Sequence, residues 1–145
     1  MKLSILNSSL KALTILAIAL LSLAFLPNQT AQAQTEEVLM EADEMPKPKG
    51  GLDGWMAYLS ENMKYPALAE EKNIEGTVIV TFVVREDGEK DSVEILRGIG
   101  GGCDEEAIRL VKDSPKWTPG KKNGEEVNVR MRLPVRFKLD EAGYN

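Results

Sequence analysis

Histidine is absent from this 145-residue chain, and there is a single cysteine, Cys103. The first absence removes the commonest general base and weakens any zinc site. It also excludes a thiol paired with imidazole as nucleophile. One cysteine closes no internal disulfide, so cysteine usage does not reveal the redox compartment, and Cys103 reads as a buried or loop thiol, with an intermolecular bond as the alternative. Basic residues are in the minority, 18 against 23 acidic, for a net charge of -5. Without the first 33 residues the balance is 16 against 23, a net -7. Such a surface repels phosphates and argues against nucleic acid as a partner. Long apolar runs are scarce too: the one such run, Ala12 to Leu26, is fifteen residues long, short of the roughly 20 that span a bilayer.

The glycine-rich stretch Gly98-Ile99-Gly100-Gly101-Gly102 resembles a phosphate cradle only superficially. A dinucleotide loop needs glycine where Cys103 stands, and a phosphate-binding loop needs a following Lys and Ser or Thr. It reads as a strand-to-helix connection. The adjacent acids Asp104, Glu105 and Glu106 fan out around a helix and suit its positive end better than a metal or an acid/base pair. No catalytic, cofactor-binding or metal-ligating residue is assigned, and the chain is read as a non-enzyme.

The N-terminus is informative by its order. Lys2 and Lys11 precede the apolar run, and Pro27 and then Ala31-Gln32-Ala33 follow it. A charged start, an apolar middle and a small-x-small site make a secretory signal peptide over 1–33, cleaved to leave Gln34 first. An uncleaved membrane anchor is the competing reading. Residues 34–51, acidic and then rich in Pro and Lys, carry no sustained period and read as a flexible leader.

Periodicity organises the rest into a domain over 52–140, with a tail over 141–145. Leu52, Trp55, Met56, Leu59 and Met63 recur at spacings of three and four, one stripe of an amphipathic helix. Tyr65-Pro66 ends it, and Pro66 opens a short second helix through Lys72. From Gly76 to Arg85 the period is two with both faces partly apolar, as in a central strand. Glu86-Asp87-Gly88 turns the chain, and Ser92 to Arg97 returns with Val93 and Ile95 inward. A third helix is expected over Asp104–Asp113, with Ala107, Ile108 and Val111 on its apolar side. Finally Val127, Val129, Met131, Leu133, Val135, Phe137 and Leu139 alternate with polar residues in a long strand. The expected fold is α+β: a three-stranded antiparallel sheet with the helices packed on one face.

An ordered set of short motifs runs along these elements. It comprises Tyr65-Pro66-Ala67, Gly76-Thr77-Val78, Asp87-Gly88, Cys103-Asp104-Glu105-Glu106-Ala107, Pro115-Lys116-Trp117-Thr118-Pro119-Gly120, Asn123-Gly124 and Leu133-Pro134-Val135-Arg136-Phe137. No piece is specific alone, but the set over about 90 residues, Gly51 to Leu139, resembles the TonB C-terminal domain in a Bacteroidetes-like form. Tyr65, Pro66, Gly76, Asp87, Gly88, Trp117 and Pro119 carry the likeness. The resemblance implies a periplasmic domain that takes a short N-terminal peptide, the TonB box, of an outer-membrane transporter as an added strand. It also implies a motor of the ExbB and ExbD type, which concerns this chain only if the N-terminus stays anchored. A leader of 18 residues reaches at most roughly 60 Å, so force transmission does not follow from the likeness.

Pro134 locates the binding edge. Proline cannot donate to a ladder, so it marks a strand at a sheet edge. Backbone groups alternate in direction along a strand, so Asn128, Arg130, Arg132, Pro134, Arg136 and Lys138 are expected to face outward and to accept an extended, acidic peptide by β-augmentation, pairing upstream of Pro134. The plainer reading makes the arginines guards against aggregation. The alternative function is a periplasmic adaptor that uses the same edge for homodimerisation or for holding an envelope protein. A third class, cell-wall binding through Trp55, Trp117 and the arginines, competes with core packing of the two indoles.

Overall fold

The chain divides into two units, Met1–Thr35 and Glu36–Asn145. A computed structural model describes residues 36–139, all within the second unit. The signal peptide expected over 1–33 and the tail expected over 141–145 lie outside the described residues. Among those described, no helix is long and apolar enough to cross a membrane.

The elements run β1 (Val38–Leu39), α1 (Gly51–Asn62), α2 (Ala67–Glu71), β2 (Gly76–Val84), β3 (Lys90–Arg97), α3 (Cys103–Asp113), β4 (Gly120–Lys122) and β5 (Glu125–Phe137). The sheet order is β1-β5-β2-β3, with β4 also paired to β5. The three expected strands are its centre: β2 pairs antiparallel with β3 and with β5, the latter from Gly76 opposite Phe137 to Val84 opposite Val129. Two short strands were not anticipated. Asn123 and Gly124 both take positive φ (52° and 80°), the geometry of a tight hairpin turn, and fold β4 back on the start of β5. Residues 36–50, expected to lack regular structure, form β1, which lies parallel to β5, and then bridge Glu44 to Lys121 and Lys47 to Thr118.

The core explains the β2 pattern. Val78, Val80, Phe82 and Val84 are fully buried on the helix side, and Val83 and Thr81 are buried on the other. Val135 and Phe137 of β5 join them, with Val93 and Ile95 of β3 packed alongside. From α3 come Cys103, Ala107, Leu110 and Val111. Leu110 therefore takes the buried place expected of Ile108, which is half-buried.

On α1 the expected stripe is split: Trp55 is buried, Leu59 and Met63 are half-buried, and Leu52 and Met56 are exposed. The reason is which flank of the helix meets α3. Tyr58 donates from its hydroxyl to the Leu110 carbonyl (2.9 Å), and Arg109 donates to the Asn62 carbonyl (2.7 Å). At 3.6 residues per turn, Leu52 and Met56 lie roughly 120–160° around the axis from Tyr58. They face away from α3.

Candidate binding edge on the last strand

Besides β2, the strand β5 has two short neighbours, and only β1 lies on the side opposite β2. Hairpin strand β4 covers Glu125 to Val127, and β1 covers Asn128 and Val129. No described strand pairs with the side of residues 130–137 that faces away from β2. Sequence reasoning placed the whole strand at an edge; only this lower half is one.

The direction of its backbone groups follows from Pro134. It stands directly opposite Ile79 of β2. A residue without an N–H fits the position whose backbone groups turn away from the neighbour, so the odd residues Met131, Leu133, Val135 and Phe137 bond to β2. Arg130, Arg132, Pro134 and Arg136 turn theirs to the open side. Arg132, Pro134 and Arg136 are exposed and Arg130 is half-buried. None of the three arginines is ion-paired to another described residue. Lys138 lies beyond the end of the strand.

Asn128 departs from the expectation. It is 6% exposed and its backbone is paired with Val38. Its side-chain Oδ1 accepts from the Glu86 amide (3.0 Å), and its Nδ2 donates to Glu36 Oε1 (3.1 Å). The other oxygen of Glu36 lies 2.6 Å from NH1 of Arg85, close enough for an ion pair although off the line of an N–H bond. Arg85 also bonds Asp91 through Nε, and that bond, ahead of the pull of Glu36, raises its pKa. Glu36, Arg85 and Asn128 were not singled out as a set from the sequence. They lie far apart along the chain, and only the hairpin and the crossing of β1 bring them together.

The residues that carried the family likeness hold the fold and do not line the open edge. Tyr65 packs edge-on to Phe137 (5.9 Å between ring centres) and donates to the Ile74 carbonyl (2.6 Å). Pro66 caps α2, and Gly76 opens β2. Asp87 accepts from the Glu89 amide (2.9 Å). Gly88, at φ 82°, accepts from the Trp117 amide (3.0 Å), and a β-carbon there would stand 2.2 Å from the Trp117 carbonyl oxygen. Trp117, 4% exposed, is edge-on to Phe82 and to Trp55 at 5.2 and 6.0 Å. Pro119 leads from the Thr118 bridge into β4. Both indoles are thus core residues. Beside them runs a cleft of about 330 Å³, walled also by Pro48, Tyr58 and Pro115.

The acidic run is likewise structural. Asp104 accepts from the Ile99 and Gly100 amides (2.9 and 3.3 Å), closing the glycine loop. Glu106 accepts from the Lys64 amide (2.7 Å) and from Arg109, tying α3 to the end of α1. Burial pushes the Glu106 carboxyl up, but the bonds from Arg109 and Lys64 outweigh it and hold the pKa below its ordinary value. Cys103 is fully buried, and burial, then the nearby acids, raise its pKa, so it is not an activated thiol. No group of three metal-capable side chains occurs among the described residues.

Fold and edge together define a class: a small α+β module whose longest strand has half of one side unpaired by any described strand. The family model of the Gram-negative bacterial TonB protein C-terminal matches residues 61–139, just over half of the chain. The chain belongs to that family. Protein TonB of Vibrio cholerae serotype O1 is 31% identical over 78 residues, a match that takes in 53% of this chain and 32% of that protein. The chain therefore matches only about a third of this relative's length. Two fragments of Helicobacter pylori TonB-CTD, solved in solution by NMR, are 22% and 21% identical, with TM-scores of 0.46 and 0.48. Each match covers 61% of this chain, and 79% and 92% of the respective fragments.

Proposed function

We propose that the chain is a periplasmic peptide-binding module of energy-coupled outer-membrane transport, exported by a cleaved signal peptide. Its ligand is the extended N-terminal peptide, the TonB box, of a TonB-dependent transporter, added as a strand to residues 130–136. The observation that carries this reading is the half of β5 left unpaired by the described strands, phased by Pro134 and bordered by three arginines without ionic partners among the described residues.

The flank of α1 supports it. Helix α3 packs on β3 and β2, while Tyr65, just after α1, rests on Phe137 of β5. Hence α1 lies over the β2–β5 side, and its flank away from α3, with Leu52 and Met56, is the one toward the open edge. An added strand would turn alternate side chains to this apolar flank and to half-buried Met131 and Leu133, and the others to the arginines. The matching peptide alternates apolar and acidic residues.

Coupling to a motor of the ExbB and ExbD type belongs to this reading only if the N-terminus remains anchored. The test is photo-crosslinking in cells from position 132, with the captured partner identified by mass spectrometry. Capture of a transporter's N-terminal peptide is expected. Capture of a second copy, or of an unrelated envelope protein, would replace this reading with the adaptor one.

A further inference from the structure

The covered half of the same edge already holds an extended peptide, and that peptide is the chain's own. Glu36 is fixed through both carboxylate oxygens: Asn128 Nδ2 stands 3.1 Å from one and Arg85 NH1 2.6 Å from the other. The clamp is built beforehand. The Glu86 amide takes Asn128 Oδ1, which leaves Nδ2 to face the carboxylate, and Asp91 holds Arg85 through Nε. Two residues on, Val38 and Leu39 pair parallel with Asn128 and Val129. Aligned residues share a face, so Glu36 and Val38 lie on the open face with Asn128, and Leu39 lies on the helix side with Val129.

This occupant is lightly held. Its strand is two residues long, the Glu36 side chain is 56% exposed, and no residue of 36–47 belongs to the core cluster. It leaves the edge at Met40, although the same parallel register would carry a strand on past Arg130 and Arg132 toward Arg136. A longer peptide entering the same clamp would gain those open ladder positions, which the native segment does not use.

We propose that Glu36–Leu39 is a displaceable internal plug in a carboxylate-and-strand site made by Arg85, Asn128 and the backbone of β5. The ligand that displaces it is a peptide with an acidic residue two positions ahead of an apolar pair, extended in parallel along β5. This deepens the preceding reading where it uses residues beyond Val129; the clamp itself stands apart from it.

The probe is a fluorescent synthetic peptide copying residues 35–42, Thr-Glu-Glu-Val-Leu-Met-Glu-Ala, followed by anisotropy against the full chain. The double variant Val38→Pro, Leu39→Pro removes the donors of the plug. It is expected to bind the probe at least tenfold more tightly than the unmodified chain. Replacing the probe's first Glu by Gln should cost about fivefold on that variant, and adding Arg85→Gln should cost the same without compounding it. Should the double variant lose the near-ultraviolet signal of Trp55 and Trp117, Glu36→Gln alone serves, with about threefold tighter probe binding expected.

Equal probe affinity for the plugged and unplugged chains would overturn the proposal. So would indifference to the acid, or a concentration-dependent dimer in which the segment sits on a second copy. Loss of the crosslink at position 132 with probe binding intact would remove the transporter and leave the clamp. The reverse result would remove the clamp and leave the transporter.

Discussion

Two proline substitutions one residue apart on β5 should differ sharply, and the difference measures the phase of the open edge. Met131 faces Phe82 of β2 and, by the parity Pro134 imposes, donates its N–H inward. Met131→Pro deletes that bond and orphans a buried carbonyl, a cost of about 1–3 kcal/mol. Loss of part of the half-buried side chain adds about 1 kcal/mol. Arg132 donates outward to no described strand, so Arg132→Pro deletes nothing the fold uses and should cost less than about 1 kcal/mol. With a urea slope of about 1–1.5 kcal/mol/M for a domain this size, the midpoint should fall by about 2 M for Met131→Pro and by under 1 M for Arg132→Pro. Met131→Ala subtracts the side-chain share. The same Arg132→Pro change blocks one donor of an added strand and should weaken peptide binding by about three- to tenfold. Equal midpoint losses would refute the assigned phase, and with it the claim that the arginine positions face outward.

Two further outcomes follow from the packing. The folded pKa of Glu106 lies below the unfolded value of 4.5, so its contribution is fully present above that value and is lost as pH falls through the folded one. Glu106→Gln should therefore cost about 1–2 kcal/mol in urea unfolding at pH 7 and progressively less toward pH 3; a gap independent of pH would contradict the assignment. Gly88→Ala sets a β-carbon against the Trp117 carbonyl at a positive φ, and should cost about 2–3 kcal/mol, roughly a 10 °C fall in Tm. An unchanged Tm would mean that the turn relaxes freely.

Period-two alternation in β2 and β5, and the acids ahead of α3, placed the central sheet and the main helices because each segment buries one side and its spacing records which. The stripe on α1 misled at Leu52 and Met56 for a physical reason: spacing marks an apolar face but not how much of it a neighbour covers. Pro134 assigns a phase to the open side from the sequence alone, since a missing donor is a property of the residue. The signal for β4 was present in Asn123-Gly124 between two short flanks, a combination that specifies a hairpin turn. Nothing local marked β1. A two-residue strand is too short to show a period, and Glu36 meets Arg85 and Asn128 only through tertiary pairing. The covered half of the edge was thus invisible, and Asn128, expected on the open side, is covered by β1.

The path of the N-terminal segment has a mechanical consequence. Residues 36–50 lie outside the core, and they are fastened by β1, by the Glu44 and Lys47 bridges, and by the bond from the Asn123 amide to Asp43. A load applied at Glu36 meets these fastenings one after another and not together, so they part singly, as in peeling. Fully drawn out, the fifteen residues span roughly 50 Å, and over that travel the segment takes the extension while α1 and the sheet are hardly deformed. The segment is a compliant tether in series with a stiff body, and its first fastening to yield is the one that uncovers Arg85.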